Sequence, residues 1–291
     1  MNATNDLPRT RMIDLPGRGG GMAALELGPS NRPLDVVFSH ANGFNARTYR
    51  SILQPLGDSL RILAIDLRGH GATTIPAVIE GRQGWLEFRD DLLALLAAVV
   101  EAPVVLAGHS MGATASLMAA AADPQRVKAL ALFEPVVVPL AMQADPAMQK
   151  SPLRQGALRR RAVFPSKAAA LQAYLGRGAF KSWSEEQVAD YVAGGFRETA
   201  SGQVTLTCAP AWEASNFGTH NADAWAAFAQ CRCPIRVLRA GNASTFRLDG
   251  HEAELAANPR IRVETVPGTT HFLPMERPEL IRQVLTELAA L

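Results

Sequence analysis

Apolar residues recur with two different periods along this chain of 291 residues, and the alternation of the two predicts its architecture. Short continuous runs occupy 34–39 (LDVVFS), 60–66 (LRILAID), 103–107 (PVVLA), 127–133 (VKALALF), 235–238 (IRVL) and 261–266 (IRVETV). Runs of that length and β-branched content suit strands buried on both faces of a parallel sheet. Two earlier segments, 11–16 and 22–27, flank Gly17-Arg18-Gly19-Gly20-Gly21 and predict a pair of strands around a flexible turn. Between the runs the period changes to that of a helix. Trp85, Phe88, Leu92, Leu95, Leu96 and Val99 share one face of a helix over 85–100, and an alanine-rich stretch predicts another over 113–122. A shorter helix is expected over 48–56, and Pro278 opens a last one that runs to residue 291.

One region breaks this rhythm. From 139 to 230 no buried-strand run stands out, while Met, Arg, Ala, Trp and Tyr recur at helical spacing between Pro and Gly breaks. The chain therefore reads as an α/β protein: a core of residues 1–138 and 231–291 flanked by helices, with a helical cap over 139–230. Such an insertion falls at the carboxyl edge of the sheet, where open α/β sheets bind ligands. Its aromatic residues Phe164, Tyr174, Phe180, Trp183, Tyr191, Phe196, Trp212 and Phe217 either line an acyl pocket or pack the cap onto itself.

Composition narrows the classes of function. With 48% hydrophobic residues the chain can bury a large core, and Lys+Arg 29 against Asp+Glu 27 leaves +2, which makes no electrostatic case for nucleic acid or an anionic membrane. The basic run Leu158-Arg159-Arg160-Arg161 reads as a solvated helix face. Three cysteines, two of them in Cys231-Arg232-Cys233 without a second pair, suggest neither a disulfide framework nor zinc, and no other spacing suggests a metal or cofactor. The longest uncharged run, 102–122, is interrupted by a turn and several hydroxyls, so no membrane span is expected. The N-terminal residues lack the basic and apolar stretches of a signal peptide, which predicts a cytoplasmic protein. Self-association is left open.

Chemistry concentrates at Gly108-His109-Ser110-Met111-Gly112, between a predicted strand and a predicted helix. A serine on so sharp a turn holds strained backbone angles, and glycines at −2 and +2 let the two arms pass. The following helix aims its first N–H groups at any negative charge that develops nearby. A serine hydroxyl needs a base, and the best candidate is His271, in a loop after the last predicted strand. His109 should point away from the neighbouring serine, and His70 should knit loops together with Asp66 and Arg68.

Four ordered motifs now coincide: His40-Ala41-Asn42-Gly43-Phe44, Asp66-Leu67-Arg68-Gly69-His70-Gly71, the turn at Ser110, and Gly268-Thr269-Thr270-His271-Phe272-Leu273-Pro274. In these the chain resembles α/β-hydrolases of the soluble esterase, lipase and C–C hydrolase type, from about residue 11 to the C-terminus. The resemblance implies a mostly parallel eight-stranded sheet, a helical cap, and a Ser, acid, His triad in that chain order. It places the oxyanion hole at Asn42 and Met111, Met111 being favoured also by the turn itself, and makes His40 a brace for the oxyanion loop. The Asn42 amide either donates to the oxyanion or braces its loop.

The acid departs from the family's pattern. Where a G-x-x-D is common, this chain has Gly241-Asn242-Ala243-Ser244. Glu134, a charge closing an otherwise apolar run, is the first alternative; Asp249, further along the loop after residue 244, is the second; a Ser–His dyad is the third. The expected function is hydrolysis of a small-molecule carboxylic ester through an acyl-enzyme on Ser110, with no cofactor. Cleavage of a C–C bond, lactone or amide by the same residues is the alternative, and a non-catalytic ligand-binding member of the fold is a different class, suggested only by the missing carboxylate after Gly241.

Overall fold

The computed structural model describes residues 8–143, 150–248 and 250–291. Eight strands form one sheet: β1 (Arg9–Leu15), β2 (Gly20–Leu27), β3 (Val36–Ser39), β4 (Ile62–Ile65), β5 (Val104–His109), β6 (Val127–Phe133), and the strands Ile235–Ala240 and Ile261–Val266, called β10 and β11 below. Their order is β1-β2-β4-β3-β5-β6-β10-β11. The pairs β1–β2 and β2–β4 are antiparallel and every other pair is parallel, so the carboxyl ends of β3, β5, β6, β10 and β11 collect along one edge.

Successive side chains of a strand point to opposite faces, and here both faces are buried. Val37, Leu63, Leu106, Leu130 and Val237 meet the helices Leu86–Val99, Met111–Ala122 and Ala224–Gln230 on one side. Val36, Phe38, Val105, Ala107 and Leu238 meet the helix Pro278–Ala289 on the other. Two expectations need adjustment. The helix expected over 48–56 is a relay of three short turns, Ala46–Tyr49, Arg50–Leu53 and Gln54–Leu56, because Pro55 interrupts the ladder of backbone bonds.

The second adjustment concerns the chain between β6 and β10. Helices Pro152–Leu158, Lys167–Tyr174, Glu185–Gly195, Pro210–Asn216 and Ala224–Gln230 occupy it, but so does a separate three-stranded antiparallel sheet of β7 (Val163–Phe164), β8 (Phe196–Glu198) and β9 (Val204–Leu206), ordered β7-β9-β8. The excursion is mostly helical, and its two- and three-residue strands are too short to show alternation in the sequence. This excursion is pinned to the core by Arg50, which donates to Asp190 Oδ1 (2.6 Å), and by Asn45 Nδ2, which donates to Tyr191 O (3.1 Å). Among the described residues no helix is long and apolar enough to cross a membrane.

The turn from β5 into the helix Met111–Ala122 depends on two glycines. A Cβ on Gly108 would lie 2.6 Å from Gly112 C, and one on Gly112 would lie 2.3 Å from Ser39 O and 2.5 Å from His40 O. Both contacts are with backbone, which cannot swing aside. Gly112→Val is expected to destabilise the protein by more than about 3 kcal/mol, at the upper end of single-substitution effects. Urea unfolding midpoints check it, with Gly156→Val, where a Cβ meets nothing within 4 Å, as the comparison.

Candidate active site

Ser110 stands at the junction of β5 and its helix with φ 56° and ψ −122°, a region that L-residues occupy only under constraint. Its N–H donates to Phe133 O (3.0 Å), and its carbonyl accepts from Thr114 N–H (3.2 Å), so the strain is held from both sides. The first turn of the helix leaves the Met111 N–H without an acceptor among the described residues, beside the Ser110 hydroxyl.

Three side chains predicted from sequence come together here. The Ser110 hydroxyl donates to His271 Nε2 (3.0 Å), and His271 Nδ1–H donates to Glu134 Oε2 (3.2 Å). Glu134 follows β6 with φ 49°, the second strained non-glycine residue of the site, and its N–H donates to Leu238 O (2.8 Å). That turn swings its carboxylate under the loop after β10, where its side chain is fully buried.

A buried carboxylate needs donors, and the segment from Ala240 to Thr245 supplies three of them. Glu134 Oε1 accepts from Ala240 N–H and from the Ser244 hydroxyl, and Oε2 accepts from Thr245 N–H (3.0 Å) as well as from His271. The Thr245 hydroxyl lies 3.2 Å from His271 Nδ1 and 3.3 Å from Glu134 Oε2. Burial works against the Glu134 charge. The hydrogen bonds from His271, Ser244, Ala240 and Thr245 outweigh it and hold the carboxyl down at about 2. Ser244, at the position where a G-x-x-D pattern would carry its carboxylate, thus serves Glu134 as a donor. Asp249 lies outside the described residues.

Three further histidines are buried as neutral rings. His109 Nδ1 accepts from the Tyr49 hydroxyl (2.7 Å) and its Nε2–H donates to His271 O (2.7 Å), so it faces away from Ser110 and fixes the backbone of His271. Burial and the neighbouring His271 push its pKa down to about 3. His40 Nε2 accepts from Leu67 N–H (2.9 Å), and His70 Nε2 accepts from Gly43 N–H (3.0 Å). Burial lowers both, His70 to about 4. They brace the loop 40–44 against the turn 66–71, whose Asp66 accepts from Ala46 and Ala72 N–H.

Along that loop the Ala41 N–H donates to Tyr49 Oη (3.2 Å), Gly43 to His70 and Phe44 to Ala41 O (3.1 Å), while the Asn42 N–H has no acceptor among the described residues. The Asn42 side chain is engaged elsewhere: Nδ2 donates to Glu213 O (3.0 Å), and Oδ1 accepts from Asn216 Nδ2 (2.8 Å). Of the two roles considered for that amide, bracing is the one the geometry supports.

Ser110, Met111, Asn42, Thr245 and His271 open onto a cavity of about 970 Å³ walled largely by apolar side chains, among them Phe44, Trp85, Val136, Val138 and Phe272. Of the aromatic residues singled out in the sequence, Tyr174, Phe180, Tyr191 and Phe217 line it. Trp183, Phe164, Phe196 and Trp212 pack within the excursion or against the core instead. Arg160 corrects another expectation. The basic run is no solvated helix face at this position, because the helix ends at Leu158 and Arg160 turns into the cavity wall, donating to Glu213 Oε2 and to the Tyr191 hydroxyl. His220 lines the cavity as well, with its ring centroid 4.5 Å from that of Trp85. Neither residue carries a local signal, since the partners of Arg160 are 31 and 53 residues away. Among the described residues no group of three or more His, Cys, Asp and Glu side chains is placed to hold a metal.

Comparison with known proteins agrees with this picture. The profile of the alpha/beta hydrolase family matches residues 36–284. A 2-(acetamidomethylene)succinate hydrolase of Mesorhizobium japonicum is 22% identical over 253 residues, 86% of this chain and 86% of that protein. The crystal structure of an E-2-(acetamidomethylene)succinate hydrolase superposes with a TM-score of 0.79 at 21% identity, covering 98% of this chain and all of that one. An esterase of M. tuberculosis superposes with a TM-score of 0.74 at 22% identity over 98% of this chain and 93% of its own. The chain belongs to the alpha/beta hydrolase family, and it is a hydrolase built on that fold.

Proposed function

We propose that the protein is a serine hydrolase that cleaves small-molecule carboxylic esters through an acyl-enzyme on Ser110. The observation that carries this is the continuous line of hydrogen bonds that starts at the Ser110 hydroxyl, in the wall of a large and mostly apolar cavity, and runs through His271 to the buried Glu134. His271 takes the serine proton as Oγ attacks the carbonyl carbon, then returns it to the leaving alcohol; a water repeats the sequence to release the acid. Glu134 holds the ring in the tautomer with Nε2 free and offsets the charge on the imidazolium. The N–H groups of Asn42 and Met111 receive the oxyanion, and fixed backbone donors of that kind need no reorganisation as charge develops. The excursion between β6 and β10 acts as a cap over the acyl site, and its Tyr174, Phe180 and Phe217 favour an apolar acyl group.

Amide cleavage by the same residues is the second reading. It is favoured by the Mesorhizobium relative, whose name describes a hydrolase of an acetamido compound and which matches across 86% of this chain.

A series of p-nitrophenyl esters of rising acyl length locates the substrate range. Ser110→Ala should lower turnover of the best ester by about three to six orders of magnitude and abolish labelling by a fluorophosphonate probe, with the circular dichroism spectrum unchanged. Persisting turnover would exclude the acyl-enzyme.

Glu134→Gln preserves shape and removes charge, so turnover should fall by roughly 10² to 10⁴. The same variant has a signature in stability. The folded pKa of Glu134, about 2, lies below its unfolded value, so its contribution is complete above the unfolded value and fades as pH falls toward the folded one. Urea unfolding should show wild type more stable than Glu134→Gln at pH 7, with the gap narrowing below about pH 5. A gap that does not vary with pH would mean the carboxylate is not held as described.

A further inference from the structure

The cavity wall includes one helix that does more than enclose space. Pro210–Asn216 lies in the excursion, far in sequence from Asn42, yet its last turn grips the loop that carries Asn42. Asn216 is fully buried, and both ends of its amide are engaged: Nδ2 donates to Asn42 Oδ1 (2.8 Å), and Oδ1 accepts from Arg82 Nη1 (2.8 Å). The Asn216 carbonyl accepts from Trp85 Nε1 (3.0 Å), which fixes the end of the helix against the core. One turn earlier, Glu213 O accepts from Asn42 Nδ2 (3.0 Å). Asn42 is therefore clamped through both atoms of its side-chain amide by one helix.

The same helix secures the next residue of the loop. Trp212 Nε1–H and His70 Nδ1–H both donate to Arg68 O (3.0 and 2.9 Å), and His70 Nε2 then accepts from Gly43 N–H. Gly43 sits so close to the helix that a Cβ there would fall 2.7 Å from Glu213 Oε1. In the stretch 41–44 every N–H but that of Asn42 already has an acceptor among the described residues, so the direction of the remaining N–H is set by those bonds together with the hold on the Asn42 side chain.

We propose that Asn216 is a positioning residue, which aims the Asn42 N–H at the developing oxyanion through the amide pair Asn216–Asn42. This rests on the serine-hydrolase reading above. An oxyanion donor is effective only within a few tenths of an ångström of its target, and a misplaced one weakens the transition state more than the bound substrate. Arg82 supplies the polarity of the device. By donating to Oδ1 it settles which end of the Asn216 amide faces Asn42, so that a donor meets the Asn42 oxygen.

Asn216→Leu keeps the bulk and removes both hydrogen bonds; Asn216→Asp keeps the acceptor for Arg82 and turns an acceptor toward Asn42 Oδ1. Each should lower kcat of the best p-nitrophenyl ester about 10- to 100-fold with KM changed little, and should weaken inhibition by a trifluoromethyl ketone, whose adduct with Ser110 carries an oxyanion, by a similar factor. In an Asn42→Ala background, Asn216→Leu should have almost no further effect, because the pair is already broken. Should Asn216→Leu fail to fold, Asn216→Asp and Asn216→Ser give the same readout. Unchanged kcat and unchanged ketone inhibition, or equal losses with and without the Asn42 side chain, would overturn the proposal. Fluorophosphonate labelling of wild type separates the two levels: a labelled Ser110 with an indifferent Asn216 rejects only the positioning role, and an unlabelled Ser110 rejects the hydrolase reading itself.

Discussion

Backbone must touch backbone where β5 turns into its helix, and the other parts of the site are arranged around that contact. Gly112 packs against the Ser39 and His40 carbonyls and Gly108 against Gly112, so the end of β3, the turn and the helix start converge without a side chain between them. The strained Ser110 between the two glycines is held by the Phe133 carbonyl, the last residue of β6. A left-handed residue of this kind costs on the order of 1–3 kcal/mol and persists only where its surroundings over-determine it. The same contact therefore draws the loop 40–44 to one side of Ser110 and Glu134 to the other.

Around this crossing the polar groups form one connected system. Tyr49 accepts from Ala41 N–H and donates to His109, and His109 donates to the His271 carbonyl, so the loop holding Asn42 and the backbone of His271 share a chain of bonds through a fully buried tyrosine. Its histidines work as neutral donor–acceptor bridges, a role that burial enforces by disfavouring their charged forms. Glu134 is held as a charge by donors from the end of β10, from the loop after it and from His271. In the proposed triad the acid comes from the end of β6, which leaves that loop with a different task. It solvates the carboxylate it would otherwise have carried.

Much of this was legible in the chain because it is local. Apolar runs marked the strands of the large sheet, the spacing of Gly108, Ser110 and Gly112 marked the turn, and a lone acidic residue closing the run 127–133 marked Glu134. What escaped notice depends on distant partners or very short elements. β7, β8 and β9 span two or three residues each, less than one full alternation. Arg160 looked like part of a solvated basic run because its carboxylate, Glu213, is 53 residues away. Ser244 and Thr245 resemble any loop hydroxyls until the Glu134 carboxylate arrives beneath them. The engagement of Asn42 with Asn216 spans 174 residues, and only the folded chain brings them together.

In the proposed mechanism Ser110, activated by His271 on a buried Glu134, carries the acyl group between two half-reactions. Rapid mixing with an activated ester, acid quenching and mass spectrometry of the protein address it directly. A transient gain of one acyl group per chain is expected, located on the peptide containing Ser110 and formed with the burst of released alcohol. Steady turnover without that adduct, or an adduct on another residue, would contradict it.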